Sequence, residues 1–356
     1  MITRISITVT ATALIAAAAP TAEQMQALVR GRPELDEIRW KDPARGAPLK
    51  VRIIQATAQA VTVEKTLPAG LVTRVIPLAD LAGVSHTFTA RESEWHRQPA
   101  PAAVPPLRVY WETRQATLRL AGSNAGETGL ALARALRLAG DPAALDEAGK
   151  ILDQIRSQDP EKRRVARAGA ERTTLDFIRS MQSGKPAETD QLAWSITEDA
   201  DNADAMLLAT AFLAERHFAE LKATEEAHPR WVDDDEVRPL RERLYHLSLD
   251  FSLYPSLFHG SRDKEASAGL KMAAAVYQFT GANRLAVSTL EDLAALYPDS
   301  EAARETVPLL ARLKALEAGG KLSPGSAEAA EDATGDAEIT PTGPPPPPKR
   351  YNIFGD

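Results

Sequence analysis

The feature that most constrains this chain is an internal repetition. From Ser267 to Pro298, Leu270, Ala273, Ala274 and Tyr277 line one face at helical spacing. Gly281 interrupts, and Ala286, Leu290 and Pro298 then mark a second helix and its stop. The segment Gly129–Pro160 carries Leu132, Ala135, Ala148, Leu152 and Pro160 in the same register, with Ala139 where the other has Tyr277. Two more divergent units lie between these two: one from about Arg164 through Gly184 to Asp201, and one with Phe212, Phe218 and Leu221 before His228-Pro229. A lone helical hairpin cannot bury both of its faces, so such units must stack and need a closing helix at the end. Ser300–Ala318, with Val307, Leu309, Leu310, Leu313 and Leu316, is predicted to be that helix. The alternative is an irregular helical bundle.

Upstream the period changes. Ile38 and Trp40, then Leu49, Val51 and Ile53, then Val61 and Val63 alternate with polar residues, and Val72–Leu78 and Leu81–Val84 complete the set. Short β-branched runs at period two, separated by Gly46, Pro68 and Gly70, predict a small antiparallel β-barrel over residues 36–95. Eleven of the 25 prolines fall at Pro99, Pro101, Pro105 and Pro106 and then at Pro324, Pro341 and Pro344–Pro348. Such stretches favour extended spacers, so residues 96–106 are read as a linker and 319–356 as a disordered tail. The stretch 107–121, where Val109/Trp111 and Leu118/Leu120 alternate, is expected to be extended. Asn124 with Glu127 is expected to form a capping box for the helix that follows. The fold class is therefore α+β in separate domains, a small antiparallel barrel followed by an all-α helical solenoid.

Two resemblances attach to these patterns. The spacing of Leu270, Ala274, Tyr277, Gly281, Ala286, Leu290 and Pro298 resembles the tetratricopeptide repeat (TPR), a unit of about 34 residues. Leu49-x-Val51-x-Ile53, Val61-Thr62-Val63-Glu64-Lys65 and Ile76-Pro77-Leu78-x-x-Leu81 resemble the small SH3-like or Sm-like β-barrels of secreted bacterial proteins. The TPR resemblance makes 107–318 a repeat domain and implies a protein–protein interaction scaffold. The first helices of successive hairpins, including Leu132–Leu138, Met206–Phe212 and Leu270–Tyr277, would line a groove for a peptide or a partner's helix. Leu296-Tyr297-Pro298-Asp299-Ser300 looks like the repeat junctions of cell-envelope TPR proteins.

Met1–Arg4 carries one positive charge, Ile5–Ala19 is uncharged, and Ala16–Ala19 are small. A short basic start, an apolar run and a small-residue end predict a secretory signal at residues 1–22, cut after Ala18 or Ala22. The alternative is an uncleaved N-terminal anchor. No later stretch is long enough to span a bilayer, so an exported protein, periplasmic or secreted, is expected.

The chain has no cysteine, which excludes disulfides, thiolate metal sites and thiol nucleophiles. Its formal net charge of -7 argues against nucleic acid as a partner. His86, His96, His217, His228, His246 and His259 show no metal-ligand spacing. No catalytic, cofactor-binding or metal-binding residues are assigned, and no cofactor is expected. Asp233-Asp234-Asp235-Glu236 lacks the alternation of a calcium loop and reads as a helix cap. Aromatics crowd into residues 231–258 where the repeat period breaks, and loops that break a scaffold often carry binding. Trp231, Tyr245, Tyr254, Phe258 and Tyr277 are the candidate partner-binding residues, with core packing as the alternative role. In the tail, Tyr351, Ile353 and Phe354 follow the polyproline run and Lys349-Arg350, as a short recognition motif would. The function expected is a non-catalytic adaptor of the cell envelope that binds a protein partner. A self-associating envelope component and a cell-wall hydrolase are its rivals.

Overall fold

The computed structural model describes residues 22–33, 35–198 and 202–319. The signal expected at 1–22, apart from Ala22, and the tail beyond Gly319 with Tyr351, Ile353 and Phe354 lie outside the described residues. Within them the chain is α+β, with a small antiparallel sheet followed by a long run of helices.

The alternating residues form β1 (Asp36–Trp40), β2 (Leu49–Ala56), β3 (Ala60–Leu67), β4 (Gly70–Pro77) and β5 (Leu81–Ser85), all paired antiparallel in the order β4-β3-β2-β1-β5. β2 is shared: Leu49–Val51 pair with β1, and Arg52–Ala56 pair with β3 with a register irregularity between Ile53 and Gln55. Ile38, Val51, Ile53, Val61, Val63, Ile76, Leu81 and Val84 bury one face as a single apolar cluster. A 3-10 turn, Leu78–Asp80, leads from β4 into β5.

The helices are α1 (Ala22–Arg30), α2 (Ala90–Arg97), α3 (Val104–Arg114), α4 (Ala125–Ala139), α5 (Pro142–Gln158), α6 (Lys162–Gln182), α7 (Pro186–Thr197), α8 (Ala203–Ala227), α9 (Val237–Phe258), α10 (Asp263–Phe279), α11 (Asn283–Leu296) and α12 (Glu301–Ala318). The stretch 107–121 is therefore not extended. Leu107, Tyr110, Trp111 and Arg114 recur at helical spacing, and Val109 is buried as well, so the alternation of Val109 and Trp111 reflects a helix enclosed on most sides. Nor are residues 96–106 a spacer. Pro101 opens a 3-10 turn, Ala103 is buried, and Pro105 and Pro106 occupy the first turn of α3, where a missing N–H costs nothing. The expected capping box at Asn124 is absent too. Its side chain instead accepts from His86 N and donates to His86 O, both at 2.7 Å, and Glu127 pairs with Arg167.

The chain divides into two compact units between Asp176 and Phe177, inside α6. In the first, α1 and α3 pack on β2, and α2 and α3 pack on α4. In the second, each of α7 to α11 packs on its successor in sequence. Gly140 (φ +77°) and Gly281 (φ +83°) close the α4/α5 and α10/α11 hairpins in the left-handed region that glycine favours. Ala274 and Ala286 are fully buried where α10 meets α11, with Leu270, Leu290 and Leu293 around them. Ser300 caps α12 by accepting from Ala303 N at 3.1 Å.

Candidate functional site

The aromatic candidates do not converge on one pocket. Asp234 accepts from the amides of Glu236 and Val237 in the turn that leads into α9, while the N-cap residue itself, Glu236, makes no side-chain cap bond. One turn further, the buried Arg241 guanidinium lies 4.3 Å from the Trp231 ring centroid and 5.4 Å from that of Tyr245. Its Nε donates to Glu225 Oε1 at 2.9 Å. Trp231 and Tyr245 thus flank a cation that is already held, a favourable use of the ring faces. About 20 Å along the helix, Tyr254 packs on Phe258 and His259, with centroids 4.9 and 5.6 Å apart. Tyr277 lies on α10, half-buried against two core clusters. Burial, and then the charge of Asp250, raises its phenol pKa.

The helices expected to line a groove mostly face the core. Leu132 and Leu136 of α4, Met206 and Leu207 of α8, and Leu270, Ala273 and Ala274 of α10 are buried. Open apolar surface gathers elsewhere in the second unit. Leu257, Phe258 and Leu296 are 70%, 66% and 65% exposed. Tyr297, next to Leu296, donates its hydroxyl to Gly260 O at 3.1 Å, which pins the end of α11 to the loop just after Phe258. Beside it an open cleft of about 740 Å³ runs between the start of α10 and the α11–α12 junction. It is lined by Leu296 and Tyr297 together with Lys264, Asp299 and Glu301, and Lys271 pairs with Glu305 at its wall. The sequence pattern had marked Leu296–Ser300 as a junction; the folded chain makes it a wall of this cleft. At α9 the helices approach without side chains between them, since a Cβ on Gly269 would lie 2.3 Å from Ser252 O.

A second cluster joins Trp194 of α7, His217 of α8 and Phe251 of α9, with ring centroids 5.3 to 6.0 Å apart. Burial lowers the His217 pKa against the opposing pull of Glu220. Trp194 and His217 share no motif, so nothing in the sequence brings them together.

The first unit holds a sealed charge cluster that sequence reading missed. Asp36 accepts from Arg32 Nη2 (2.8 Å), Thr87 N (2.8 Å) and Ile53 N (3.0 Å). Glu92 lies 2.7 Å from Arg114 Nη1 and accepts from Thr89 N at 2.8 Å. The Thr117 hydroxyl donates to Arg114 O at 2.7 Å, so His86 Nε2 must donate to Thr117 Oγ1 at 2.8 Å. That leaves His86 Nδ1 without a hydrogen, 3.9 Å from Asp36. Burial first, then Arg114 and Arg32, lower the His86 pKa well below its usual range. All five charged or titratable members are buried, so the grouping ties α2 and α3 to the sheet and offers no path to a substrate. Among the described residues no three metal-ligating side chains gather, and no described helix is long and apolar enough to cross a membrane. Compared with protein-family models, curated proteins and solved structures, the chain matches none.

Proposed function

We propose that this chain is an exported, non-catalytic scaffold of TPR-like helical hairpins that holds a segment of a partner protein at the end of its second unit. The observation that carries the reading is the exposure of Leu257, Phe258 and Leu296 beside a cleft with charges of both signs. Large apolar side chains rimmed by polar groups are the usual anchors of a protein interface. The repeated hairpins support a TPR-like array, and the basic, apolar, small-residue start supports export to the periplasm or beyond. Because Trp231 and Tyr245 already flank Arg241, Phe258 with Tyr254 is the part of the aromatic set free to meet a partner.

In-vivo crosslinking and pull-down from the exported fraction tests this, with the full chain compared against a chain stopping at Ala318 and against Phe258→Asp/Leu296→Asp. A discrete partner held by the full and shortened chains and lost at least tenfold in the double variant is expected. Capture that needs the last residues would move recognition to Tyr351, Ile353 and Phe354. Recovery of the chain with itself alone would overturn the reading.

A further inference from the structure

Among the described residues one edge of the sheet has no partner strand, and the other carries a single bridge. On β5, Gly83 bridges Ala121, whose carbonyl also accepts from Arg39 Nη2 at 3.2 Å. On the far side β4 pairs, among the described residues, with β3 alone, and every residue from Gly70 to Val75 is exposed. The turn between β3 and β4 is only Pro68-Ala69, so Leu67 and Gly70 must exchange both of their hydrogen bonds. The register then runs without a shift to Ala60↔Pro77. By the period of two, Gly70, Val72, Arg74 and Ile76 direct their backbone groups to β3. Leu71, Thr73 and Val75 direct theirs outward. Three large side chains on this edge are apolar, with Leu71, Val72 and Val75 exposed by 55%, 46% and 64%. Arg74 is the single charge on the strand, and long apolar edges of this kind are templates for another strand.

We propose that β4 is the interface between two copies of this chain, paired antiparallel about a two-fold axis through Thr73. In that register Thr73 faces Thr73 of the second copy, and Leu71 and Val75 face each other twice. All three are hydrogen-bonded pairs, so the outward groups of both strands are satisfied together. Arg74 faces Val72, and no like charges stand opposite. Moving the axis to Val72 or Arg74 leaves only two complete pairs, and the latter sets Arg74 against Arg74. Because the contact is isologous it consumes both open edges and stops at a dimer. It removes on the order of 1,000 Å² of surface, at the low end of specific interfaces, so the dimer is concentration-dependent. This surface lies in the first unit and does not depend on the partner site of the second.

The test is sedimentation of the full chain over a wide concentration range, with Thr73→Lys and Thr73→Glu. Thr73 is exposed, so both variants keep the fold. Wild type is expected to pass from monomer to dimer, and each variant, by placing like charges opposite at the axis, to weaken association at least about tenfold. An equal mixture of the two should restore the dimer, an outcome that only self-pairing at this residue produces. The natural chain has no cysteine, so Thr73→Cys with a short bismaleimide should give a covalent dimer and Ser157→Cys should not. A wild type that stays monomeric, association unchanged in both charge variants, or a mixture that fails to recover would each overturn the proposal.

Discussion

Glu92 and Arg114 lie 2.7 Å apart with both side chains buried, and Arg32 and Asp36 form a second buried pair 2.8 Å apart. Two cations and two anions balance, and the backbone amides of Ile53, Thr87 and Thr89 supply donors to the carboxylates. Removing one member leaves an uncompensated buried charge, which costs far more than removing a matched pair. Glu92→Gln is therefore expected to destabilise the protein by about 3–5 kcal/mol, and Glu92→Leu with Arg114→Met by less, as urea unfolding would measure. A second effect at this scale depends on pH. His96 packs edge-on against Phe88 with centroids 4.4 Å apart, and burial lowers its pKa to about 4 from 6.5. The unfolded chain then binds more protons than the folded one between those values, so stability is full above about pH 6.5 and falls as the pH drops toward 4. His86 acts in the same direction. The urea midpoint should fall over that window, and His96→Phe, which keeps the ring packing, should flatten part of the fall.

At the scale of elements, hairpin closure and helix contact set the order of packing. Gly140 takes φ +77° and its amide donates to Leu136 O at 3.2 Å, ending α4 before Asp141 caps α5. An alanine there must hold a left-handed backbone, so Gly140→Ala is expected to lower stability by about 1–2 kcal/mol in thermal or urea unfolding. The turn at Gly281 and the small contacts at Ala274 and Ala286 are visible as residue types at fixed offsets. Asn124 is the counter-example. It sits at a helix start with Glu127 three residues on, yet its amide bonds both backbone groups of His86. A residue 38 positions away outcompeted the local cap, and no local rule describes that choice.

Across the whole molecule, the division falls inside α6 and not at the prolines near residue 100. The sheet shares its unit with α1 to α5, because Leu107, Tyr110, Trp111 and Arg114 of α3 are buried there. Packing faults should stay within a unit. Ala274→Leu is expected to overpack the α10/α11 hairpin by about 1–3 kcal/mol. Hydrogen exchange should show protection lost between Asp263 and Leu313 and retained in β2 and β3; loss in the sheet as well would count against two units.

The sequence by itself determined the β face, the hairpin turns and the helix register, because period, turn chemistry and small-residue spacing act over a few residues. It did not reveal that 104–114 is a helix, since the buried Val109 lies off the stripe of Leu107, Tyr110, Trp111 and Arg114 and gives Val109 and Trp111 the alternation of a strand. Tertiary structure alone decided that Trp231 and Tyr245 flank Arg241 while Phe258 stays exposed, and that among the described residues β5 carries a bridge to Ala121 while β4 pairs with β3 alone. It alone gathered Arg32, Asp36, His86, Glu92 and Arg114. Those outcomes depend on which groups far apart in the chain are desolvated together, and that is a property of the packed core rather than of any stretch of sequence.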